Sequence, residues 1–462
     1  MRLPELFVER MRRELGVEEA KQLCEALSTE PSTSVRLNPR KMTTQKWNGE
    51  QVAWSEYGYK LNERPSFTMD PYFHAGAYYV QEASSQFAGY ILASVEGGVE
   101  ACRGLRVLDM CAAPGGKSTH YASLVGSEGL VVANEINRSR AAILADNARK
   151  WGTANMVITC NDSSRAAQLE EWFDVVAVDA PCSGEGMFRK SEDACEQWSE
   201  GNVAMCAERQ WEIVQNAFQA LRPGGVLIYS TCTFNRSEDE DIVRRLMEEY
   251  GDEICEASEV FTDESWGVVV GREGAFQTFR FFPHRVEGEG MFMAVARKSG
   301  ESGSRRRIKS RSKAVVRVDK RTSEELGRWV MHPADFAFFQ AGEMLYGCYK
   351  EHLEDREMLS GVMSVIYSGV AMGQIFKGKL KPDAALALCA EVNHQAVACC
   401  EVALDVALQF LSKQDVPSNL FAEGVNMLLY DGHPLGFVKR VGARVNNMYP
   451  NTLRILKQIN EN

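Results

Sequence analysis

The order of apolar and polar residues divides the chain into regions of different character. Near the N-terminus, apolar residues recur every four positions from Phe7 to Leu15, and Gly16 stands where a helix usually ends. A second helical stretch follows, and then a short strand that a proline stops. We therefore predict a small mixed subdomain over residues 1–70.

Between about 80 and 298, short apolar runs alternate with helical patterns. The predicted strands are Leu105–Asp109, Leu130–Glu135, Met156–Cys160, Val175–Asp179 and Val226–Ser230. Repeated strand–helix units predict an α/β, Rossmann-like domain whose doubly wound sheet is mostly parallel. Ligands bind such sheets outside the carboxyl ends of the strands, so we expect functional residues directly after the strands.

The pattern breaks after residue 298. A Gly/Ser/Glu-rich stretch leads into residues 305–321, which hold nine basic residues and only Asp319 as an acid. This run predicts a basic linker that faces phosphate, although a solvated, solubilising run is the alternative. The C-terminal region is Ala-rich and predicted helical around 383–412, and it closes with strands around a turn at Asp431–Pro434.

These boundaries predict five segments. They are an N-terminal subdomain for RNA recognition over 1–70, a catalytic domain over 71–298, the basic linker over 299–321, an intermediate domain over 322–385 and a last module over 386–462.

Composition narrows the class of protein. The chain has 462 residues, 45% hydrophobic and 25% charged, which is ordinary for a globular protein of several domains. No apolar run approaches the roughly 18 residues of a membrane span. The 13 cysteines form no C-x-x-C pair and no zinc spacing, so we expect reduced thiols, no metal site and a cytoplasmic, monomeric protein.

The net charge of −11 argues at first against a nucleic-acid partner, because phosphate contacts require Lys and Arg. The charge is unevenly distributed, however. Residues 299–462 hold 21 Lys and Arg against 18 Asp and Glu, whereas residues 1–298 hold 31 against 45. A local basic surface is therefore compatible with the acidic total.

A cofactor site is predicted after the first three strands of the α/β domain. Small residues in the first loop let a ligand approach the backbone at a helix N-terminus. Glu135 ends the second strand, where an acid can accept from both ribose hydroxyls, and Asp162 after the third could reach an adenine edge. The first-loop residues are Cys111, Ala112, Ala113, Pro114, Gly115, Gly116 and Lys117.

This order predicts an adenosine-bearing cofactor without a pyrophosphate, because the loop matches neither a P-loop nor G-x-G-x-x-G. The alternative is an ordinary tight turn followed by two helix-capping acids.

Two cysteines differ from the others in their position. Cys182 and Cys232 each follow a predicted strand directly, on the same edge as the cofactor loop, whereas a free cysteine is usually a small buried apolar residue. A thiolate that adds to C6 of a pyrimidine makes C5 nucleophilic toward a methyl sulfonium. Asp179 could hydrogen-bond the N3/N4 edge of cytosine. Spacing alone leaves open which cysteine attacks.

These motifs resemble the NOL/NOP/Sun family of RNA cytosine-5 methyltransferases. The segments that carry the resemblance are Asp109–Lys117, Asp179–Lys190, Ser230–Cys232, Tyr78–Ser85, Pro283-His284 and Gly288–Phe292. The resemblance spans about 30–298 and extends more weakly to the end. The long C-terminal extension is most like that of members acting on bacterial 16S rRNA, and the last ~75 residues look like a PUA-type RNA-binding module.

The resemblance implies a function and roles for these residues. S-adenosylmethionine would be held by residues 111–117, Glu135, Asp162 and Asp179. Cys232 would attack C6, and Cys182 would assist proton removal and product release. The substrate would be 16S rRNA or the small ribosomal subunit. The alternatives are an exocyclic amino methyltransferase and a non-catalytic ribosome-assembly factor.

RNA contacts are harder to predict. A target base must be unpaired or flipped, and the aromatic candidates can equally be core residues. The candidates are Arg36, Asn38, Tyr72, Phe73, Tyr78, Tyr79, Arg189, Lys190, the run 305–321, Lys377, Lys379, Lys381, Lys439, Arg440 and Arg444.

Overall fold

The computed structural model describes residues 3–44, 46–301, 303, 308, 310 and 312–457. Of the basic run predicted over 305–321, residues 305–307, 309 and 311 lie outside this part of the chain. No helix within the described ranges combines the length and apolarity that crossing a bilayer requires.

The N-terminal unit consists of two helices and a small antiparallel sheet in the order β2-β3-β1-β4. Gly16 has a φ of 87° and separates the first two helices, as the sequence predicts. The elements are α1 (Glu5–Leu15), α2 (Val17–Ala26), β1 (Thr33–Leu37), β2 (Gly49–Gln51), β3 (Gly58–Leu61), α3 (Pro71–His74) and β4 (Tyr78–Val80).

The central unit alternates strands and helices. Its elements are α4 (Ala83–Glu96), β5 (Arg106–Asp109), α5 (Gly116–Val125), β6 (Leu130–Asn134), α6 (Arg138–Trp151), β7 (Met156–Thr159), α7 (Ser164–Ala167), β8 (Phe173–Asp179), α8 (Glu192–Gln197), α9 (Glu200–Ala220), β9 (Leu221–Thr231), α10 (Glu240–Tyr250), β10 (Ile254–Cys255), β11 (Val269–Glu273), β12 (Phe276–Phe281) and β13 (Met291–Lys298).

The C-terminal region contains α11 (Lys320–Gly327), α12 (Leu353–Val362), α13 (Ala384–Ala387) and α14 (Leu404–Leu411). Its strands are β14 (Val316–Arg317), β15 (Phe336–Ala341), β16 (Met344–Tyr349), β17 (Val365–Ser368), β18 (Val370–Phe376), β19 (Lys379–Pro382), β20 (Ala398–Glu401), β21 (Gly424–Tyr430), β22 (His433–Val441) and β23 (Arg444–Asn447).

The central sheet is mixed. Its strands follow the order β11-β12-β13-β9-β8-β5-β6-β7-β17, with β10 paired to β13. The five strands from β9 to β7 are parallel, and the others pair antiparallel. The predicted Rossmann-like α/β core is therefore confirmed, with antiparallel strands added on both sides.

Neighbouring residues of each central strand enter two different cores. Val107 packs in the core covered by α4, α5 and α6, and Leu108 packs in the core covered by α9, α10 and α12. Burial on both faces explains why these strands are continuous apolar runs in the sequence. Because these five strands are parallel, all of their carboxyl ends lie at the same edge of the sheet.

The C-terminal region forms a five-stranded sheet, β14-β15-β16-β18-β19, and a four-stranded sheet, β20-β21-β22-β23. The strand β17 leaves this region and pairs with β7 of the central sheet. The prediction of helix throughout 383–412 is wrong: α13 and α14 are short, and β20 lies between them because it pairs with β21. Long-range pairing here overrides the helix preference of an alanine-rich segment.

Candidate active site

The carboxyl ends of the parallel strands meet at one edge of the central sheet. The loop after β5 lies there, together with Glu135 after β6 and Asp162 shortly after β7. Asp179 ends β8, and Cys232 directly follows β9. Residues that are distant in the sequence thus share one edge because their strands are parallel neighbours.

The loop after β5 is hydrogen-bonded to both strands that neighbour β5. Met110 donates its N–H to a carbonyl of β8 at 2.8 Å, and Ala112 donates to a carbonyl of β6 at 2.9 Å. Gly115 has a φ of 112°, and a Cβ there would lie 3.0 Å from the Leu144 side chain. Glycine is therefore required where the chain turns into α5.

The acids after β6 and β7 are held by nearby groups. One oxygen of the buried Glu135 accepts the Asn137 N–H at 2.9 Å. The other lies 3.3 Å from Arg140 and accepts no hydrogen bond among the described residues. Asp162 accepts the Ser164 N–H at 3.0 Å, and hydrogen bonds from the Ser164 side chain and backbone lower the pKa of that carboxyl.

Both acids line a cavity of about 700 Å³, a size that small-ligand and cofactor sites commonly have. The buried oxygen of Glu135 keeps its capacity to accept from a ligand hydroxyl, so the residues present fit an adenosine-bearing cofactor. The cavity also reaches both cysteines. Of the predicted site residues, those lining it are Cys111, Ala113, Glu135, Asp162, Asp179, Cys182 and Cys232.

Asp179 lies between a cation and a hydroxyl. Lys117 Nζ is 2.8 Å from Asp179 Oδ1, and the Ser230 hydroxyl donates to the same oxygen at 2.8 Å. Burial alone would lower the pKa of Lys117, but the adjacent Asp179 carboxylate raises it above the ordinary value. The lysine therefore stays charged. Within the described chain, no hydrogen bond engages Asp179 Oδ2, which leaves an acceptor for a ligand.

The two predicted cysteines are in direct contact. Their Sγ atoms are 3.1 Å apart. The hydrogen bond to Cys232, together with burial, raises the pKa of Cys182 well above the ordinary value for a thiol. Cys182 therefore keeps its proton at neutral pH and can donate it toward the Cys232 sulfur.

A second cavity, of about 310 Å³, adjoins the first. Both cavities are lined by Cys111, Ala113, Asp179, Met187 and Cys232. The predicted loop residues that line only the second cavity are Ala112, Pro114, Gly116 and Lys117, and Gly115 lines neither. The groups with reactive chemistry thus lie where the two cavities meet.

A buried carboxylate, Glu185, holds the two cysteine loops together. It accepts the Trp198 indole N–H at 3.0 Å, the Phe234 backbone N–H at 2.7 Å and the Asn235 side-chain amide at 3.0 Å. Its exposed fraction is 0%. The sequence around Glu185 carries no local signal of this role, because the role depends on partners that are remote along the chain.

Glu238 performs the same task beside it. It accepts the Ser183 N–H at 2.9 Å and the Gln210 side-chain amide at 2.8 Å. In addition, the Gly186 N–H donates to the Cys232 carbonyl at 2.9 Å. The acid-rich segment 238–241, shortly after Cys232, is the feature of the sequence that could have indicated these contacts.

Two predicted RNA contacts are wrong. Arg36 and Asn38 are each 1% exposed. Arg36 donates to the Gln81 side chain and to the Thr119 hydroxyl, both at 2.7 Å. Asn38 donates to two backbone carbonyls, at 3.0 and 2.9 Å. Both side chains tie the N-terminal sheet to the central unit, so neither is available to RNA.

The other RNA candidates divide by exposure. Tyr72 and Tyr78 are buried, and Arg189 is an internal ion-pair partner of Glu289 at 3.0 Å. Lys190 is exposed and lines the second cavity. The exposed C-terminal candidates are Lys377, Lys379, Lys381, Lys439 and Arg444, and Arg440 is partly buried.

Three family models match the chain. One, described as 16S rRNA methyltransferase RsmB/F, matches residues 100–297. One for the N-terminal domain of 16S rRNA methyltransferase RsmF matches residues 3–83, and one for the methyltransferase RsmF PUA domain matches residues 398–455.

Similar proteins carry related names. The ribosomal RNA small subunit methyltransferase F of Shewanella loihica is 30% identical over 452 residues, covering 91% of this chain and 88% of that protein. The protein of that name from Erwinia tasmaniensis is 29% identical over 97% of this chain and 96% of its own length.

Solved structures share the fold. A methyltransferase homologue from Pyrococcus horikoshii is 26% identical, with a TM-score of 0.52, and covers 64% of this chain and 95% of that one. NSun6 from the same organism, solved with SFG, is 19% identical, has a TM-score of 0.53 and covers 64% of this chain and 99% of that one.

Proposed function

Since the chain belongs to the 16S rRNA methyltransferase RsmB/F family, we propose that it methylates C5 of cytosine in 16S rRNA through a cysteine–C6 bond. The family resemblance predicted from the motifs, including the likeness of the C-terminal extension to that of members acting on bacterial 16S rRNA, is thereby confirmed. The observation that carries the proposal is the contact between Cys182 and Cys232 beside Asp179, where two cavities meet. Methylation of an exocyclic amine would use neither thiol.

S-adenosylmethionine is the cofactor of this enzyme, and it supplies a methyl group on a positively charged sulfur. We assign the larger cavity to it, with Glu135 accepting from the ribose hydroxyls and Asp162 placed for the adenine. The acidic lining suits a cationic ligand, because its carboxylates offset the charge.

The smaller cavity would receive the flipped cytosine. Cys232 would add its sulfur to C6, which moves electron density to C5 and makes that carbon nucleophilic. Asp179 would bind the N3/N4 edge, held in place by Lys117 and Ser230. A carboxylate fixed in this way accepts the N4–H of cytosine and orients the ring without rearranging during the reaction.

Cys182 would act after the methyl group has been transferred. Once Cys232 is bonded to C6, its sulfur no longer shares the proton of Cys182, which removes the first cause of the raised pKa of Cys182. The pKa of Cys182 then falls, so this thiol can lose its proton to solvent and become a thiolate base. The C5 proton leaves to this base, the ring regains its double bond, and the C6–S bond breaks to restore the Cys232 thiolate.

The remaining predictions concern the rest of the chain. We propose that the subdomain over 1–70 and the PUA-like module over 386–462 hold the RNA, and that the enzyme is a cytoplasmic monomer. The exposed lysines of β19 and β22 supply positive charge that a phosphate backbone requires.

The decisive experiment is a cysteine series on small ribosomal subunits from cells lacking the gene. Cys232→Ala should bind S-adenosylmethionine normally and transfer no methyl group. Cys182→Ala should accumulate a protein–RNA adduct that survives denaturing electrophoresis, because release of the product is slowed.

Cys255→Ala is the matched control, since Cys255 is an exposed thiol of β10. Methyl transfer by Cys232→Ala would overturn the covalent mechanism. A methylated exocyclic amine, seen by mass spectrometry of the product nucleoside, would instead support the alternative amino methyltransferase. Failure of the wild type to bind S-adenosylmethionine would support a non-catalytic assembly factor.

A further inference from the structure

A third cavity, of about 490 Å³, opens beside the site described above. It shares Tyr79, Val80 and Pro114 with the smaller catalytic cavity, so the two are separated by a common wall. Its other lining is aromatic and basic. Among its aromatic and basic lining residues are Arg64, Phe67, Phe73, Tyr79, Lys150 and Trp151.

The ammonium of Lys150 stands out in this cavity. Its Nζ lies 4.4 Å from the centre of the Phe73 ring, and within the described chain it has no hydrogen bond to an acceptor. Lys41, close by, differs: its Nζ donates to the Ala75 and Lys150 carbonyls at 2.8 and 2.6 Å. Lys41 is thus satisfied by the protein, whereas Lys150 keeps its donors for a ligand.

The aromatic residues also divide into two groups. Phe67 and Trp151 are 8% and 3% exposed and form a rigid floor. Phe73 and Tyr79 are only partly buried, and Tyr79 is fixed by a hydrogen bond from Asn147 at 3.3 Å. Partly exposed aromatic rings next to cations suit a nucleobase and its phosphate, because aromatic stacking tolerates any base and the positive charge binds the phosphate backbone.

The position of the cavity relates it to the path of an RNA strand. On one side it adjoins the cavity assigned to the target cytosine. Phe73 belongs to α3, and Tyr72 of that helix packs against Tyr430 of β21 with ring centres 5.6 Å apart. A strand that leaves the target site over this cavity would therefore run toward the C-terminal module.

We propose that this cavity binds a second unpaired nucleotide, the neighbour of the target cytosine in the same RNA strand. Its base stacks against Phe73 and Tyr79, and Lys150 and Arg64 contact its phosphates. This inference rests on the proposed function, and it adds a specificity site for the flanking nucleotide.

The first test uses Lys150→Met and Phe73→Leu in the full-length enzyme, with small ribosomal subunits as substrate. Each variant should raise the KM for the subunit at least about fivefold, the lower end of what loss of one base-stacking contact costs. The kcat and the affinity for S-adenosylmethionine should not change. Lys21→Met is the control, since it removes an exposed lysine of α2 that pairs with Glu25.

The second test identifies the ligand. An RNA fragment carrying the mapped cytosine is prepared with an abasic site at either flanking position. For the wild type, one of the two abasic positions should weaken binding about fivefold, and Phe73→Leu should bind intact and abasic RNA equally. Equal sensitivity of wild type and variant to the abasic site would overturn the proposal.

Other outcomes separate the two proposals. An unchanged KM for both variants, with normal turnover by the wild type, would overturn only the flanking-nucleotide site. Absence of turnover by the wild type would overturn the proposed function itself. A loss of S-adenosylmethionine affinity in Lys150→Met and Phe73→Leu would assign the cavity a structural role and overturn the inference.

Discussion

The cofactor cavity and the two cysteine loops are built by contacts of different range. On the cofactor side, Glu135 bonds to a backbone N–H two residues away, and Asp162 does the same. On the cysteine side, Ser183 bonds to a carboxylate 55 residues away, and Arg189 pairs with one 100 residues away. The two acids of the cofactor side are thus held by local contacts at their own strand ends, whereas the cysteine loops are held by contacts between segments that are distant in the sequence.

This difference has a consequence for substitutions. Changes on the cofactor side should weaken ligand binding and leave the rest of the structure intact. Changes on the cysteine side should lower stability and turnover together, because the same carboxylates hold the loops and position the thiols.

The largest effect is expected for Glu185→Ala. The substitution leaves two buried N–H donors, the Trp198 indole and the Phe234 backbone, without an acceptor, and it removes one of the acceptors of the Asn235 amide. The free energy of unfolding should fall by about 3–5 kcal/mol, and turnover should be lost because the cysteine loops separate. Urea denaturation followed by tryptophan fluorescence measures the first quantity, and methyl transfer to the small subunit measures the second.

The matched control is Glu192→Ala, since Glu192 is exposed on α8 and its loss should cost under about 0.5 kcal/mol. A Glu185→Ala enzyme with normal stability and lost turnover would contradict the expectation that changes on the cysteine side lower stability and turnover together. It would mean that this carboxylate acts in the chemistry and not in the framework.

A second, smaller effect concerns pH and the end of β5. Burial raises the pKa of Asp109 to about 7, with Ser118 donating to its carboxylate at 2.6 Å. The folded state therefore holds this proton more tightly than the unfolded chain, whose aspartates ionise near pH 4. Stability should fall as pH rises from about 4 to about 7, by about 2–4 kcal/mol, and then level off.

Asp109→Asn isolates this effect, because asparagine keeps an acceptor for Ser118 and cannot ionise. The difference in unfolding free energy between wild type and variant should change over this pH window and stay constant above pH 8. A difference that is constant from pH 4 to pH 8 would show that the pKa of Asp109 is the same in the folded and the unfolded states, and would contradict this prediction.

The parts predicted from the sequence are those with local determinants. The five parallel strands were recognisable because burial on both faces makes each a continuous apolar run. The cysteines and acids follow strand ends, so topology alone brought them to one edge. Their chemical roles stay predictions.

The parts that could not be predicted depend on distant partners. Lys117 belongs to the cofactor loop in the sequence, but its Nζ lies 2.8 Å from Oδ1 of Asp179, at the end of the neighbouring strand β8. Arg36 looked available to RNA, and it is buried because Gln81 and Thr119 accept its hydrogen bonds. The strand β20 forms in an alanine-rich segment only because β21 pairs with it.

The smallest effect is expected for Glu135→Ala, and it tests the cofactor side of the comparison. Loss of the carboxylate removes one or two charge-assisted hydrogen bonds to the ribose, so affinity for S-adenosylmethionine should fall about 10–100-fold. Stability should change little, since Asn137 and Arg140 can bond to water. At saturating cofactor, kcat should remain close to that of the wild type, as it should in the exposed control Glu128→Ala. Calorimetric titration and initial rates measure the two quantities. A kcat that falls as far as the affinity would mean that the cofactor cavity and the cysteine loops act as one unit.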